Sequence, residues 1–197
     1  MAFIEVKPEK LNVNIFNMIK NWMVLTAGDP DDCNSMIVSW GGMGIMWGRP
    51  AATVYVRNSR YTLDFMNKDE YFTLSILPET YKSEMGYLGS HSGRDGNKYA
   101  KTDLHPISFG PAVGIQEAEY VFVMRKLYNA RMDRRDFKDD VIYEEWYSGK
   151  DEGNDHNLFI GEILTVYKKK DNHEQSSWTA SFRLETVKDR NDRKIFS

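Results

Sequence analysis

Residues Asn34 to Thr62 read NSMIVSWGGMGIMWGRPAATVYVRNSRYT. A short apolar and hydroxyl run, Met36 to Trp40, precedes glycines at 41, 42 and 44, then Trp47 and a Gly-Arg-Pro corner at residues 48 to 50. The chain returns as Thr53-Val54-Tyr55-Val56 and ends in Arg57-Asn58-Ser59-Arg60-Tyr61-Thr62. This pattern predicts two β-type segments around a glycine-rich turn, with two arginines and a threonine where the second segment ends. A flat apolar ligand with an anionic tail suits that arrangement. So does a plain hairpin with a solvated basic tip, and the residues alone leave both open.

Outward from this stretch, Leu11, Ile15, Phe16 and Ile19 recur at helical spacing and predict a short helix over Asn14 to Lys20. The run Trp22 to Thr26 predicts a strand, closed by the loop Gly28-Asp29-Pro30-Asp31-Asp32. Met36 to Trp40 and Ala52 to Arg57 predict the second and third strands. A helix is expected from Thr62 to Asn67 with Thr62 as its N-cap, and a strand over Tyr71 to Leu77, ended by Pro78. Glu79 to Leu88 suits a helix, and residues 89 to 98 a polar loop punctuated by Gly89, Gly93 and Gly96. Loops of that length are usually functional or mobile. The longest strand-like region lies in Ile115 to Met132, a helix is expected within Asp136 to Tyr147, and Leu158 to Tyr167 closes the core with a bulge or close approach at Gly161. Several short strands, few helices and no βαβ alternation predict a mainly β barrel or sandwich.

The 197 residues suffice for one sizeable core, here assigned to residues 1–168, with 169–197 as a polar tail or arm. A 41% hydrophobic and 28% charged composition is ordinary for a soluble protein. No apolar run approaches the roughly 20 residues of a membrane span, and the start MAFIEVKPEK lacks the pattern of a secretory signal. A formal charge of −3 offers no general attraction to nucleic acid or anionic membrane. The single cysteine, Cys33, rules out an intrachain disulfide framework and fits a cytoplasmic location.

No dinucleotide-binding glycine fingerprint, Walker lysine loop or nucleophile elbow occurs. The four histidines are too scattered to suggest a zinc site, so no metal is expected. Asp31 and Asp32 would raise the Cys33 pKa and so argue against a catalytic thiolate. Four constellations remain. Arg57, Arg60 and Thr62 could grip phosphate oxygens, or could be surface residues of a hairpin end. Ser92-Gly93-Arg94-Asp95 through Lys98 could close over an anion, or could be a surface loop with an Arg–Asp pair. His156, after Asp155 at a strand entrance, could titrate near neutrality and donate to a ligand, or could serve only the turn. Met36 to Ser39 could offer backbone groups to the edge of a flat ring, walled by Trp40 or Trp47, unless those tryptophans are core.

Taken together, these pieces resemble the flavin reductase-like proteins with an FMN-binding split barrel, particularly the flavoredoxin branch. The resemblance rests on WMVLTAG at 22–28, NSMIVSWG at 34–41, MWGRP at 46–50, VRNSRYT at 56–62 with Phe65, FTLS at 72–75, SGRD at 92–95 with Lys98, and HNLFIGEI at 156–163. It implies a Greek-key split β-barrel with a few short helices that forms a homodimer and binds FMN at the dimer edge. Asn34, Ser35, Met36, Ile37, Val38 and Ser39 would lie along the isoalloxazine. Arg57, Tyr61 and Thr62 would hold the ribityl phosphate, Ser92, Gly93 and Lys98 would complete the cradle, and Val56 would be a further cofactor-binding residue. His156 falls where relatives have a Gly-Asp-His element associated with nicotinamide, but here the sequence is Gly153-Asn154-Asp155-His156, one residue longer. Ile37 stands where many relatives carry threonine.

The function implied is hydride transfer from NADH or NADPH to bound FMN, with electrons passed on to free flavin or to another small-molecule or protein acceptor. No side-chain acid or base is indispensable to that chemistry, since the flavin carries it. The alternative is a flavoredoxin-type electron carrier or redox sensor with no NAD(P)H oxidation of its own.

Overall fold

β-Strand content dominates the chain, as expected, and the strands bend into one curled sheet. The structure, a computed structural model, describes residues 2–170. The described residues form ten strands: β1 (Phe3–Val6), β2 (Met23–Gly28), β3 (Cys33–Val38), β4 (Gly41–Met46), β5 (Arg49–Arg57), β6 (Tyr71–Ile76), β7 (Pro106–Phe109), β8 (Ala112–Ile115), β9 (Tyr120–Arg131) and β10 (His156–Lys169). Four α-helices join them: α1 (Ile15–Lys20), α2 (Thr62–Lys68), α3 (Lys82–Ser90) and α4 (Asp140–Tyr147). The main sheet has the order β3-β2-β6-β9-β10-β5-β4, with β1 added on β10 and every pairing antiparallel. β7 and β8 form a separate hairpin.

The sheet's two edge strands, β3 and β4, are consecutive in the chain and separated only by Ser39 and Trp40. Two residues span at most about 7 Å, so the ends of the sheet must curl together at that corner. The barrel is closed there by covalent linkage without ladder hydrogen bonds, which is the split barrel that the resemblance implies.

Inside the curl, Leu25, Ala27, Met36, Val38, Val54, Val56, Phe72, Leu74, Phe122, Met124 and Phe159 form one core. On the outer side of β2 and β9, Val24, Val121 and Val123 pack with Met85 and Leu88 of α3 and with Phe109 and Ile115 of the β7–β8 hairpin. β2 is thus buried on both faces, which explains why its sequence shows no polar–apolar alternation.

Glycine residues 41, 42 and 44 do not make the expected turn; they lie in β4, paired with β5 from Gly41↔Val54 to Met46↔Arg49. The turn itself needs only Trp47 (φ 51°) and Gly48 (φ 71°), both left-handed, the two-residue geometry that matches strand twist. Thr62 is also not an N-cap. Tyr61 holds that position without a capping bond, while the buried Thr62 hydroxyl accepts from Asn34 Nδ2 at 2.7 Å. The helices near residues 14–20, 79–88 and 136–147 form, although Phe16 of α1 faces outward, 85% exposed. The Ile115 to Met132 region divides into the end of β8 and β9, and β10, with 14 residues, is longer than β9. Residues 171–197, most of the expected tail, lie outside the described residues.

β10 pairs with β9 along most of its length, but with β5 only over 156–162 and with β1 only at its far end. The change of partner follows a register shift between Ile160 and Gly161, the bulge that the glycine suggests. A Cβ at 161 would sit 2.8 Å from Phe72 Cζ and 3.0 Å from Met124 Cε, both fully buried. Gly161→Ala is expected to cost about 1–3 kcal/mol by overpacking. Urea unfolding measures it, and an unchanged midpoint would show that Phe72 yields freely.

Candidate functional site

β3 is an edge strand, so alternate residues turn their backbone N–H and C=O away from β2. The Ser35 carbonyl accepts from Lys98 Nζ at 2.5 Å, which identifies Ser35 as outward-facing. By the same alternation Cys33 and Ile37 also present their peptide groups outward. The side chains of Asn34, Met36 and Val38 are buried, and that of Val56 is fully buried. Their backbone groups face neighbouring strands, so these residues serve as scaffold, and of the four Asn34 alone lines the hollow described below. Ile37 packs toward α3, where a Cβ added at Gly89 would come within 3.2 Å of its Cγ1.

The loop after α3 closes against this edge. Ser92 Oγ accepts from the Arg94 N–H at 3.2 Å and caps a single 3-10 turn over Gly93–Asp95. A Cβ at Gly93 would lie 2.3 Å from Asn34 Oδ1 and 2.8 Å from Tyr61 Cδ1, so glycine is required for the loop to approach. Arg94 stacks over Tyr61 at 4.7 Å and pairs with Asp64 at 2.8 Å; it is not paired with Asp95. Asn34, Tyr61, Gly93 and Lys98 line one hollow of about 520 Å³, together with Cys33, Phe65, Asn97 and Tyr99. Ser39 is exposed and belongs to a different hollow, beside Ile15, Phe16 and Met43.

Lys98 is buried, 6% exposed, and its ammonium donates to two carbonyls, Ser35 and, at 3.0 Å, Leu88. It makes no ion pair with a carboxylate of the described residues. Burial, with the nearby Arg60 charge, lowers its pKa to about 8. Arg60 donates to the Gly89 carbonyl at 3.0 Å. The two cations thereby hold adjacent carbonyls in the last turn of α3, where helix carbonyls lack intrahelical donors. Behind Lys98, Tyr99 OH and Ser35 Oγ are 2.6 Å apart, as are Ser35 Oγ and Thr26 Oγ1. Cys33 donates weakly to Tyr99, and burial raises its thiol pKa, with Asp29 and Asp32 adding to the rise.

Arg57 does not join Lys98 in that hollow. Its guanidinium donates to the Trp146 carbonyl at 3.1 Å and the Asn154 carbonyl at 3.4 Å, and pairs with Asp151 at 3.3 Å. Arg57 therefore fastens the α4 segment to the end of β5. Arg60, grouped with Arg57 by sequence but omitted from the expected phosphate cradle, is the arginine whose charge reaches Lys98. His156 pairs with Arg57 in the β5–β10 register and is 93% buried, with Tyr147 OH 2.9 Å from its Nδ1 and the Trp40 ring 5.0 Å away. Nothing in the spacing of Trp146 and Tyr147 announced this role, because the contact depends on how the α4 segment folds back.

Burial, then the positive charges of Arg57 and Arg60, lower the His156 pKa to about 4, only partly offset by Asp155. The expectation that it titrates near neutrality is overturned for that reason. Because the folded value lies below the ordinary histidine value of about 6.5, its contribution to stability is whole above about pH 6.5 and is lost as pH falls toward about 4. Imidazole proton shifts should stay flat from pH 8 to 5.5 and move only near 4; a midpoint near 6.5 would contradict the burial. Gly93→Ala should displace Asn34 or Tyr61 and cost about 1–3 kcal/mol, read by thermal or urea unfolding.

The family model "Flavin reductase like domain" matches residues 16–183. A search of the curated proteins found no match. Among solved structures, flavoredoxin of Desulfovibrio vulgaris (Miyazaki F) is similar at 22% identity and TM-score 0.57, over 77% of this chain and 70% of that one. An FMN-binding protein from Thermus thermophilus with bound p-hydroxybenzaldehyde is similar at 20% identity and TM-score 0.57, over 75% of this chain and 71% of that one. An FMN-binding domain of a flavin reductases-like enzyme from Shewanella baltica gives 13% identity and TM-score 0.61, over 85% and 77% of the two chains. These structural likenesses speak to the fold, and the family model spans most of the sequence: the chain belongs to the flavin reductase-like family.

Proposed function

We propose that the chain is an FMN-dependent oxidoreductase that takes hydride from NADH or NADPH and passes electrons to free flavin or another acceptor. The observation that carries the proposal is Lys98, a buried ammonium beside a glycine-bearing loop with no carboxylate to neutralise it. Such a site favours an anion such as a ribityl phosphate. The residues fit FMN in three further respects. The hollow of about 520 Å³ lies within the usual range for a ligand site. Gly93 lets the loop come close, and β3 presents outward peptide groups that can read the edge of a flat ring. The family and the FMN-binding neighbours add to this support.

In this reading Lys98 and Arg60 attract the phosphate, with Ser92, Gly93, Tyr61 and Thr62 beside them, while Arg57, at the end of β5, is engaged by the α4 segment and stands outside the cradle. Bound FMN supplies the redox chemistry. The backbone of Ser35 and Ile37 orients the ring, and an outward N–H near its polar edge stabilises negative charge there. The chain works as a cytoplasmic homodimer, a state supported by the exposed apolar tip Ile45, Met46 and Trp47 and tested by light-scattering mass.

Purified protein should be yellow and release FMN on denaturation. Lys98→Met should weaken FMN binding roughly 10- to 100-fold, the worth of a hydrogen bond to a charged group. Affinity should also decline as pH rises through about 8, where Lys98 loses its proton, and the variant should lose that part of the decline. Unchanged affinity in Lys98→Met would refute the phosphate assignment.

One observation favours the second reading, an electron carrier without nicotinamide oxidation: His156 is covered by Trp40 and Tyr147. Anaerobic mixing decides between the two, since NADH or NADPH bleaches the flavin of a reductase and leaves a carrier yellow.

A further inference from the structure

A lysine side-chain nitrogen is tetrahedral, and at Lys98 three of its four directions are assigned. One is the bond to Cε, and two are the hydrogen bonds to the Ser35 carbonyl at 2.5 Å and the Leu88 carbonyl at 3.0 Å. The fourth has no partner among the described residues, and Lys98 lines the hollow of about 520 Å³. In the ammonium that direction holds a proton, which suits an anion. In the neutral amine both remaining hydrogens still reach their carbonyls, and the fourth direction holds the lone pair. Deprotonation therefore keeps the links to β3 and α3 and exchanges a donor for a nucleophile.

The neutral form is within reach for two reasons. The side chain is buried with no carboxylate of the described residues paired to it, and the charge of Arg60 acts on it. Desolvation and a neighbouring cation are the ordinary means of activating a lysine amine. The other titratable groups lining the hollow are Asp31, Asp32, Cys33, Tyr61, Tyr99 and His105, and none of them bonds to Lys98. With a pKa of about 8, roughly a tenth of Lys98 is neutral at pH 7, against about one part in 2,500 for an exposed lysine. Nucleophilicity falls with basicity; on the slope known for thiols, about a tenfold advantage remains. Lys126 is the contrast. Burial lowers its pKa too, but Asp69 and Glu70 oppose the shift, and it does not line the hollow.

We propose that Lys98 is a covalent capture site for small aldehydes bearing an anionic group, which its amine binds as an imine within the hollow. The lone pair attacks the carbonyl carbon, the carbon–oxygen double bond opens, and the two amine hydrogens leave with that oxygen as water. A carbon–nitrogen double bond results, with no change of oxidation state. When the imine nitrogen takes a proton from solvent, one N–H returns, so only one of the Ser35 and Leu88 carbonyls loses its donor. The anionic group is favoured because the Arg60 charge persists when Lys98 is neutral. This goes beyond the proposed function: an adduct and a ribityl phosphate need the same nitrogen, so each excludes the other.

The test takes the full chain with pyridoxal 5′-phosphate as the probe, borohydride to reduce the imine to a stable secondary amine, and peptide mass mapping to locate it. At about pH 7.5 without FMN, Lys98 should be labelled about tenfold faster than Lys126 or any exposed lysine. Its rate should rise with pH and level off above about 8. Lys98→Arg keeps a cation but removes the amine, and should lose that label alone. Label spread over exposed lysines with Lys98 unmodified overturns the proposal, and the wild-type map decides this even if the variant does not fold. A Lys98 rate that climbs to about pH 10 without levelling overturns it as well. Saturating FMN should slow labelling of Lys98; labelling there that ignores FMN leaves the capture site standing and counts against the phosphate assignment instead.

Discussion

The close approach of the β10 backbone to Phe72 is the constraint on which the architecture rests. At Gly161 the strand passes so near the buried ring that no side chain fits. The bulge beside it shifts the register on β9. Beyond it β10 leaves β5 and takes up β1. Together with a second register shift between Ile163 and Thr165, this bend lets the sheet curl so that its two edge strands can be joined through Ser39 and Trp40 alone. The interior apolar set from Leu25 to Phe159 is enclosed because one strand serves three neighbours in turn.

At the open edge, the site is assembled from parts that also have structural duties. Lys98 and Arg60 terminate α3 by holding the carbonyls of Leu88 and Gly89. In the proposed function, a phosphate held there would share these cations with the helix end. The uncompensated charge persists because carbonyl dipoles satisfy the ammonium hydrogens without cancelling its charge. Burial disfavours the charged ammonium, which together with the nearby Arg60 charge lowers the Lys98 pKa to about 8.

Much of this was legible in the chain. β2, β6 and β9 announce themselves as apolar runs because both faces or most of one are buried, and Gly161 marks its bulge because no other residue fits. Four of the thirteen residues expected to bind cofactor, namely Asn34, Tyr61, Gly93 and Lys98, line a single hollow. The failures have physical causes. β4 was hidden because glycine is a turn signal, whereas pairing with β5 decides its conformation. β1 depends on a partner more than 160 residues away, and β7 opens with Pro106, which disguises a strand start. Thr62 looked like a cap, but Asn34, distant in sequence, claims its hydroxyl. Arg57 looked like a phosphate ligand, but the α4 segment supplies nearer acceptors. In each failure a tertiary contact outbid a local preference.

The two-residue link between β3 and β4 has a mechanical consequence. A ring fastened by a short tether opens at the clasp before it stretches anywhere else, since no ladder of hydrogen bonds resists there. Ser39 and Trp40 are the clasp, and Trp40 leans on His156 from it. A slight parting of the sheet's ends would carry Trp40 and the end of β3 together, since two residues of backbone cannot lengthen.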